Sequence, residues 1–206
     1  MDIDPSKTAA PQFYRYMIGS ITPRPIAWVS TISPRGMPNL APFSFFNGVS
    51  ANPPTLVFSP VNRRDGSKKD TVLNLEQTPE FVVNIVSFDQ AQPMNTTSQE
   101  FPYEVSEFEA CGLTTMPAER VRAPRVKEAK VRFECLLHQM LYIGEGPLAA
   151  NLVIGRIVLM HVDDVVLGPD GLIDPRKLDT IGRMGGDTYA RTTDLFELPR
   201  PVQKHP

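Results

Sequence analysis

The sequence predicts a mainly β protein built as an antiparallel barrel with short helical insertions. Short runs of β-branched and aromatic residues recur along the chain, whereas helical segments are too few and too irregular for a βαβ alternation. The 21 prolines are roughly double the average usage of about 5%, as expected of a chain rich in turns and strand edges. A chain of 206 residues is long enough for one substantial core, so we expect residues 1–206 to form a single domain.

Four strands are predicted in the first half of the chain. Residues 26–33 are rich in β-branched and aromatic side chains and end at a Pro-Arg-Gly turn. Residues 39–46 alternate imperfectly, and Pro42 within them predicts an edge or irregular strand whose backbone is partly free to bind a ligand. Two further short buried strands are predicted at residues 55–59 and 81–86.

The predicted helices are short. Asp70 is expected to be the N-cap of a helix over residues 71–77 that ends before Pro79. Residues 88–97 predict another short helix. The polar stretch that follows, up to Pro124, is expected to be loop with some helix.

A long hairpin is predicted in the second half, where residues 144–150 join the strand-like runs 131–143 and 152–166. The linker also fits the loose G-x-G-x-x-A spelling of a dinucleotide-binding turn, with Asp163 or Asp164 about 20 residues further on. That turn must open a helix whose amides hold a pyrophosphate, and a strand-like run follows here instead. We therefore expect a hairpin loop.

Composition limits the function and the partners. A net charge of -2 gives no basic field for nucleic acid. The N-terminal residues have no apolar signal-peptide core, and no run approaches the roughly 18 apolar residues of a membrane span, so we expect a cytoplasmic protein without membrane contact. Cys111 and Cys135 form no CxxC pair, and we expect them to be reduced with no metal bound. No residue pair indicates hydrolytic chemistry, and we assign no catalytic residue.

Residues 63–71 combine cationic side chains, hydroxyl groups and a predicted helix start. A helix start presents unpaired amides and partial positive charge, and nearby Lys and Arg add charge-assisted hydrogen bonds, so a phosphate monoester would bind well there. A solvated basic loop with an ordinary N-cap explains the same residues equally well. The sequence physics leaves both interpretations open.

Aromatic residues give a similar choice. Trp28 and the cluster Phe43, Phe45 and Phe46 have the shape to flank a flat heteroaromatic ring. Aromatic residues at strand spacing usually fill a core, and we interpret Trp28 in this way. His161 lies among apolar strand residues, where a hydrogen-bonded structural histidine is more common than a catalytic one.

Six segments resemble, in order and spacing, the successive signatures of the flavin reductase-like family. They are PRPIAWVST at 23–31, NLAPFSFFN at 39–47, KDT at 69–71, EFVVN at 80–84, GRIV to VDD at 155–164, and IGRMGG with Tyr189 near the end. Each segment alone is unspecific, but the series is specific. The resemblance covers about residues 15–200.

The resemblance implies an FMN-binding split β-barrel that forms a homodimer, with the flavin near the subunit interface. The residues that it places around the isoalloxazine ring and the ribityl chain are Ser30, Thr31, Asn39, Leu40, Ala41, Ser44, Phe45 and Asn47. It places Lys69 and Thr71 at the phosphate, where Arg63 belongs to the same cationic cluster. Arg183 and Tyr189 match a C-terminal signature that is expected near the cofactor.

The resemblance also implies the activity. We expect an NAD(P)H-dependent flavin reductase, in which NADH or NADPH passes a hydride to flavin N5. The reduced flavin would then serve an oxygenase or another redox protein. Two alternatives stay open on these residues: an electron carrier resembling flavoredoxin, with FMN as a tight prosthetic group, and a flavin-binding barrel without redox turnover.

Overall fold

The computed structural model describes residues 1–201, and most of its regular structure is β-strand. The strands are β1 (Ala27–Ile32), β2 (Pro38–Phe43), β3 (Phe46–Ala51), β4 (Pro54–Phe58), β5 (Glu80–Ile85), β6 (Thr115–Met116), β7 (Arg125–Val126), β8 (Val131–Ile143), β9 (Ala150–Val162), β10 (Ile181–Arg183) and β11 (Tyr189–Arg191). Seven of them form one antiparallel sheet in the order β2-β1-β5-β8-β9-β4-β3. The remaining four form two small hairpins, β6-β7 and β10-β11.

The large sheet is curled into an open barrel. Its two edge strands, β2 and β3, are joined in the chain by Ser44 and Phe45 alone. The ring centroids of Phe43 on β2 and Phe58 on β4 are 5.5 Å apart, although five strand spacings of about 4.8 Å each separate these strands along the sheet. Only a curled sheet brings the two rings together. Because β2 and β3 do not pair, the barrel is split, as expected.

The barrel interior holds the main hydrophobic core. Successive side chains of β1 alternate between two faces, so that Val29 faces the interior while Trp28 faces outwards. Inside, Phe58 packs edge-on against Phe81, and Leu75 from a helix joins the same cluster. Outside, Trp28 is fully buried in a second cluster, which confirms its interpretation as a core residue.

Short helices cover the barrel. Within residues 1–201 they are α1 (Ala10–Ser20), α2 (Asp70–Gln77), α3 (Ala91–Thr96), α4 (Glu107–Ala110) and α5 (Pro175–Leu178), with 3-10 turns at Phe88–Gln90 and Asp164–Val166. Met94 of α3 and Phe108 of α4 pack against Trp28 on the outer face. No helix in the described part of the chain is long and apolar enough to cross a bilayer.

The longest predicted feature, the hairpin of β8 and β9, is present. Its strands pair from Val131 with Val162 to Ile143 with Ala150, and residues 144–149 form the turn. Gly144 and Gly146 have φ angles of 78° and 74°, which side-chain-bearing residues rarely adopt. The G-x-G segment is therefore a hairpin loop, as expected. The predicted second strand was too long, because β9 ends at Val162 and a 3-10 turn follows.

Candidate functional site

One face of the barrel carries an elongated groove beside an edge strand. In the described part of the chain β2 pairs only with β1, so the backbone groups on its other side are free of the ladder, as the position of Pro42 predicted. A cavity of about 170 Å³ and a second of about 430 Å³ open along this side. Both are lined by Pro42, Phe43 and Ser98, so the two cavities adjoin, and we call them together the edge groove.

The smaller cavity ends at the start of α2. Arg63, Lys69, Asp70 and Thr71 all line it, so the structure brings the predicted phosphate residues together. Arg63 donates from Nη2 to Oδ2 of Asp70 across 2.8 Å, whereas Lys69 is in no ion pair among residues 1–201. No side chain caps α2, and among residues 1–201 the amides of Asp70 and Thr71 have no acceptor. A free ammonium group and uncapped amides thus meet at one end of the groove.

The predicted capping role of Asp70 is wrong. The helix begins at Asp70 itself, its N-cap position is Lys69, and no side-chain cap is formed. The physical reason is the neighbouring guanidinium of Arg63, which draws the Asp70 carboxylate into a charge-assisted hydrogen bond. The amides that Asp70 was expected to satisfy, those of Val72 and Leu73, donate instead to the backbone oxygen of Lys69 across 2.9 and 3.1 Å.

A buried carboxylate forms the floor of this cavity. Glu107, in α4, accepts from Nδ2 of Asn39 at Oε1 and from the backbone N–H of Leu40 at Oε2, both across 2.8 Å. Oδ1 of Asn39 in turn accepts from Oγ1 of Thr71 across 2.9 Å. Burial raises the pKa of Glu107 above its usual range, although both hydrogen bonds favour the ionised form.

Three residues that the resemblance placed at the flavin lie beneath the groove. Ser30, Thr31 and Leu40 are fully buried and line neither cavity. Thr31 donates to Oδ1 of Asn39 across 3.2 Å and accepts from Nδ2 of Asn74 across 3.0 Å, so its hydroxyl is satisfied within the protein. The structure gives these residues a supporting position behind the groove wall, and Ala41 and Asn39 form the wall itself.

The larger cavity lies between the barrel and the C-terminal hairpin. Arg183 and Tyr189, which the resemblance placed near the cofactor, both line it, as does Ser44. The guanidinium carbon of Arg183 lies 4.5 Å from the centroid of the Tyr189 ring. Backbone pairing of Arg183 with Arg24 fixes this hairpin to the start of β1. The two predicted residues therefore act as one stacked unit at the groove.

Phe45 and Asn47 line neither cavity. Phe45 lies in the connection between β2 and β3, where it packs edge-on against Tyr14 with ring centroids 6.3 Å apart. Asn47 is exposed on β3, opposite Val57. The structure therefore does not bring these two predicted residues into the groove lining.

Sequence reasoning missed several groove residues. Tyr14 comes from α1, which was not predicted, although Pro11 near its start is a common helix-start signal. Glu107 lies in the stretch 98–124 that was expected to be loop with some helix. The pattern Ser106-x-x-Glu109 is typical of a helix start and would have placed α4. Asn95 and Ser98, by contrast, carry no local signal, because only the tertiary fold brings them to β2.

Taken together, the fold and the groove define a class of protein: a split β-barrel with a groove along one sheet edge that is lined at the start of α2 by Arg63 and Lys69. The comparisons identify the particular family. Residues 18–182 match the family model of the flavin reductase-like domain, and the chain belongs to that family. The protein is accordingly a flavoprotein of the oxidoreductase type.

Individual relatives agree over nearly the whole chain. An uncharacterised protein of Aquifex aeolicus is 43% identical over 93% of this chain and 95% of its own. The crystal structure of nitrilotriacetate monooxygenase component B from Bacillus cereus has a TM-score of 0.90 at 37% identity, covering 96% of this chain and 98% of that one. The 2-nitrobenzoate 2-nitroreductase NbaA of Pseudomonas fluorescens has a TM-score of 0.87 at 30% identity, covering 98% and 97%.

Proposed function

We propose that this protein is an NAD(P)H-dependent flavin reductase that binds FMN in the edge groove. The observation that carries the proposal is the pair of adjoining cavities, one at the uncapped, cationic start of α2 and the other at the stacked pair Arg183 and Tyr189. This arrangement matches an elongated ligand that has a phosphate at one end and a flat ring system at the other. FMN is such a ligand.

The residues fit the phosphate of FMN. Lys69 forms no ion pair in the described part of the chain, and the amides of Asp70 and Thr71 have no acceptor there, so these groups are available to phosphate oxygens. Arg63 is held in place by Asp70 and contributes to the positive side of the cavity. This arrangement favours the phosphate-binding interpretation of residues 63–71 over a solvated loop.

A bound flavin would supply the redox chemistry by accepting, at N5, a hydride from the nicotinamide, which would become NAD(P)⁺. The chain needs only to orient the two rings and exclude water, so it requires no acid or base of its own. Pro42 and Phe43 form the wall shared by the two cavities, and Arg183 with Tyr189 bounds the wider one. We assign these residues to positioning the ring system.

The acceptor of the reduced flavin is proposed from a relative. The Bacillus cereus protein is named as a component of a monooxygenase, and it aligns with nearly all of this chain. We propose that an oxygenase or another redox protein likewise receives electrons from this protein. We also propose that this protein is a homodimer and lies in the cytoplasm.

Rapid mixing tests the activity. The FMN-loaded protein is mixed without oxygen with NADH and, separately, with NADPH, and the loss of oxidised-flavin absorbance is followed. Bleaching by either nucleotide that is much faster than with free FMN alone supports the reductase. Absence of bleaching with both contradicts it and favours a carrier that takes electrons from a protein, or a barrel without turnover.

Arg183 provides a variant for the same experiment. Arg183→Ala removes the group that stacks on Tyr189 at the wide end of the groove and leaves the start of α2 unchanged. We expect slower bleaching at saturating FMN. Arg176→Ala, in the separate short helix α5, is the matched control and should bleach at the normal rate.

A further inference from the structure

A third cavity, of about 250 Å³, adjoins the wide end of the edge groove, and we call it the side cavity. Asn95 and Tyr189 line both the side cavity and the larger cavity of the groove. Oη of Tyr189 donates to Oδ1 of Asn95 across 3.4 Å, so this hydrogen bond lies where the two cavities meet. A ligand that reacts in the wide end of the groove can therefore extend into the side cavity.

The side cavity offers a flat surface to a heteroaromatic ring. The guanidinium carbon of Arg191 lies 4.1 Å from the centroid of the Phe88 ring, and both residues line the cavity. Phe88 is 47% exposed, so this stacked pair is open to a ligand. Guanidinium and aromatic groups both stack on flat rings. Adenine is a ring of this kind.

Each arginine at these two cavities has a carboxylate of its own. Arg191 donates from Nε and Nη2 to the two carboxylate oxygens of Asp179, across 2.8 and 2.7 Å. These hydrogen bonds lower the pKa of Asp179 below its ordinary value, so Asp179 is ionised at neutral pH. Arg183 donates to the backbone oxygen of Gly186 across 2.6 Å and lies 3.8 Å from the carboxylate of Asp187. Both arginine charges are therefore offset.

These charges bear on the choice between NADH and NADPH. The two nucleotides share a pyrophosphate and differ only in the 2′-phosphate on the adenosine ribose of NADPH. Dinucleotide-binding proteins hold that phosphate with a cation, whereas a carboxylate binds the 2′-hydroxyl of NADH. No lysine among residues 1–201 lines the wide end of the groove or the side cavity, and Asp179 already holds Arg191. The arrangement favours NADH.

We propose that the side cavity binds the adenosine half of the nicotinamide nucleotide and that Asp179, by holding Arg191, makes NADH the co-substrate. The inference rests on the proposed reductase activity. Asp179 is a specificity-determining residue that acts through Arg191, at a distance from the start of α2 and its phosphate-binding groups.

Rapid mixing of the FMN-loaded protein with a series of NADH and NADPH concentrations gives a second-order rate constant of flavin bleaching for each nucleotide. We expect the constant for NADH to exceed that for NADPH at least about tenfold in the unmodified protein. Asp179→Asn releases Arg191 and should shift this ratio at least about threefold towards NADPH. Asn also adopts the φ of 52° found at Asp179, so the turn should be retained.

Two further variants show whether the shift arises from Arg191. Adding Arg191→Ala to Asp179→Asn removes the released cation and should restore the ratio towards that of the unmodified protein. Asp170→Asn is the matched control, because the Asp170 carboxylate accepts from the backbone N–H of Leu172 in its own turn. It should leave the ratio unchanged.

The ratio also separates this proposal from a structural role, which would change the rates with both nucleotides equally. Equal use of the two nucleotides by the unmodified protein, or a preference for NADPH, overturns the proposal and leaves the reductase activity standing. An unchanged ratio in Asp179→Asn overturns it as well. Bleaching by neither nucleotide overturns the reductase activity and this proposal with it.

Discussion

Lys68 and Lys69 are neighbours in the chain but have different surroundings. Lys68 donates to the carboxylate of Glu76, and its Nζ lies 4.6 Å from the centroid of the Tyr142 ring. Lys69 lines the edge groove and has no ion-pair partner in the described part of the chain. Replacing each of the two lysines in turn therefore distinguishes a general effect of positive charge from a specific contact with the ligand.

Lys69→Ala is expected to weaken FMN binding roughly 10- to 150-fold, the equivalent of one charge-assisted hydrogen bond of about 1.5–3 kcal/mol. Binding of riboflavin, which has no phosphate, should hardly change. Fluorescence titration with both flavins measures the two affinities.

Lys68→Ala is the control for this experiment and should leave both affinities near their normal values, because its side chain faces Glu76. Equal losses of FMN and riboflavin in Lys69→Ala would show that Lys69 does not bind the phosphate. Melting temperatures of the ligand-free variants should differ from the unmodified protein by only a few degrees, since Lys69 is not part of the core.

Glu134 is a second buried acid. It has no part in the proposed ligand site, but it is important for stability. It accepts from the amides of Glu119 and Arg120 across 2.9 and 2.6 Å and pairs with Nε2 of His161 at 2.7 Å. Burial alone would raise its pKa, but these hydrogen bonds hold the pKa of Glu134 below the ordinary value of 4.5. His161 is thus hydrogen-bonded to a buried carboxylate, as the structural interpretation predicted.

Because the pKa of Glu134 is lowered in the folded protein, Glu134 contributes its full stabilisation at pH values above its unfolded-state pKa of about 4.5. This stabilisation is lost as the pH falls further. Glu134→Gln should reduce the free energy of unfolding by about 1–3 kcal/mol at neutral pH. The difference from the unmodified protein should shrink below about pH 4.5. Urea unfolding at several pH values checks both parts, and a constant difference down to about pH 3 would contradict the assignment.

At the scale of elements, the close approach of β9 to β5 depends on a glycine. A Cβ placed on Gly155 of β9 would lie 2.3 Å from Cζ of Phe81, a ring that is fully buried inside the barrel. The ring cannot move without disturbing Phe58, which packs against it. Gly155 therefore leaves space for the aromatic core.

Gly155→Ala should lower the free energy of unfolding by about 1–3 kcal/mol or more, because the added methyl group overpacks the core. Gly48→Ala on β3 is the matched control, because no atom lies within 4 Å of the position that its methyl group would take. Urea unfolding measures both variants. If they lose the same stability, the effect is a general property of glycine in strands and the packing explanation is wrong.

Elements with a strong local pattern could be predicted from the sequence, and those made by tertiary pairing could not. The β8–β9 hairpin is indicated by two long β-branched runs around a glycine turn. β3, in contrast, contains Gly48 and Ser50 and is almost wholly exposed, so its pattern is not that of a strand. β3 is nevertheless a strand, because β4 pairs with it after a tight turn.

The same limit applied to the groove. Lys69, Thr71, Arg183 and Tyr189 were placed by motif, and the structure brings them to the groove. Glu107 was not found, because its role depends on contact with a strand 67 residues away in the chain. Local spacing contains no information about such a contact.

At the scale of the whole molecule, the curled sheet leaves β3 with an unpaired edge. Among residues 1–201 β3 pairs with β4 alone, and Val49 on it is 56% exposed. Long exposed edges are open to pairing with another chain. The C-terminal tail, residues 193–201, also lies exposed, with Phe196 at 85% and Leu198 at 84% exposure.

We predict a homodimer in which the C-terminal tail of each copy packs on the other. Phe196 and Leu198 are largely exposed in the described part of the chain, and burying two such side chains stabilises an interface by about 1.5–3 kcal/mol each. Sedimentation at micromolar concentration should therefore show a dimer. The double variant Phe196→Ser and Leu198→Ser should weaken association at least tenfold. Leu172→Ser, at a similarly exposed leucine in a separate turn, should not. A monomeric unmodified protein that still binds FMN would contradict the dimer. If the double variant is still a dimer, the tail is not the interface, and the β3 edge is the next candidate.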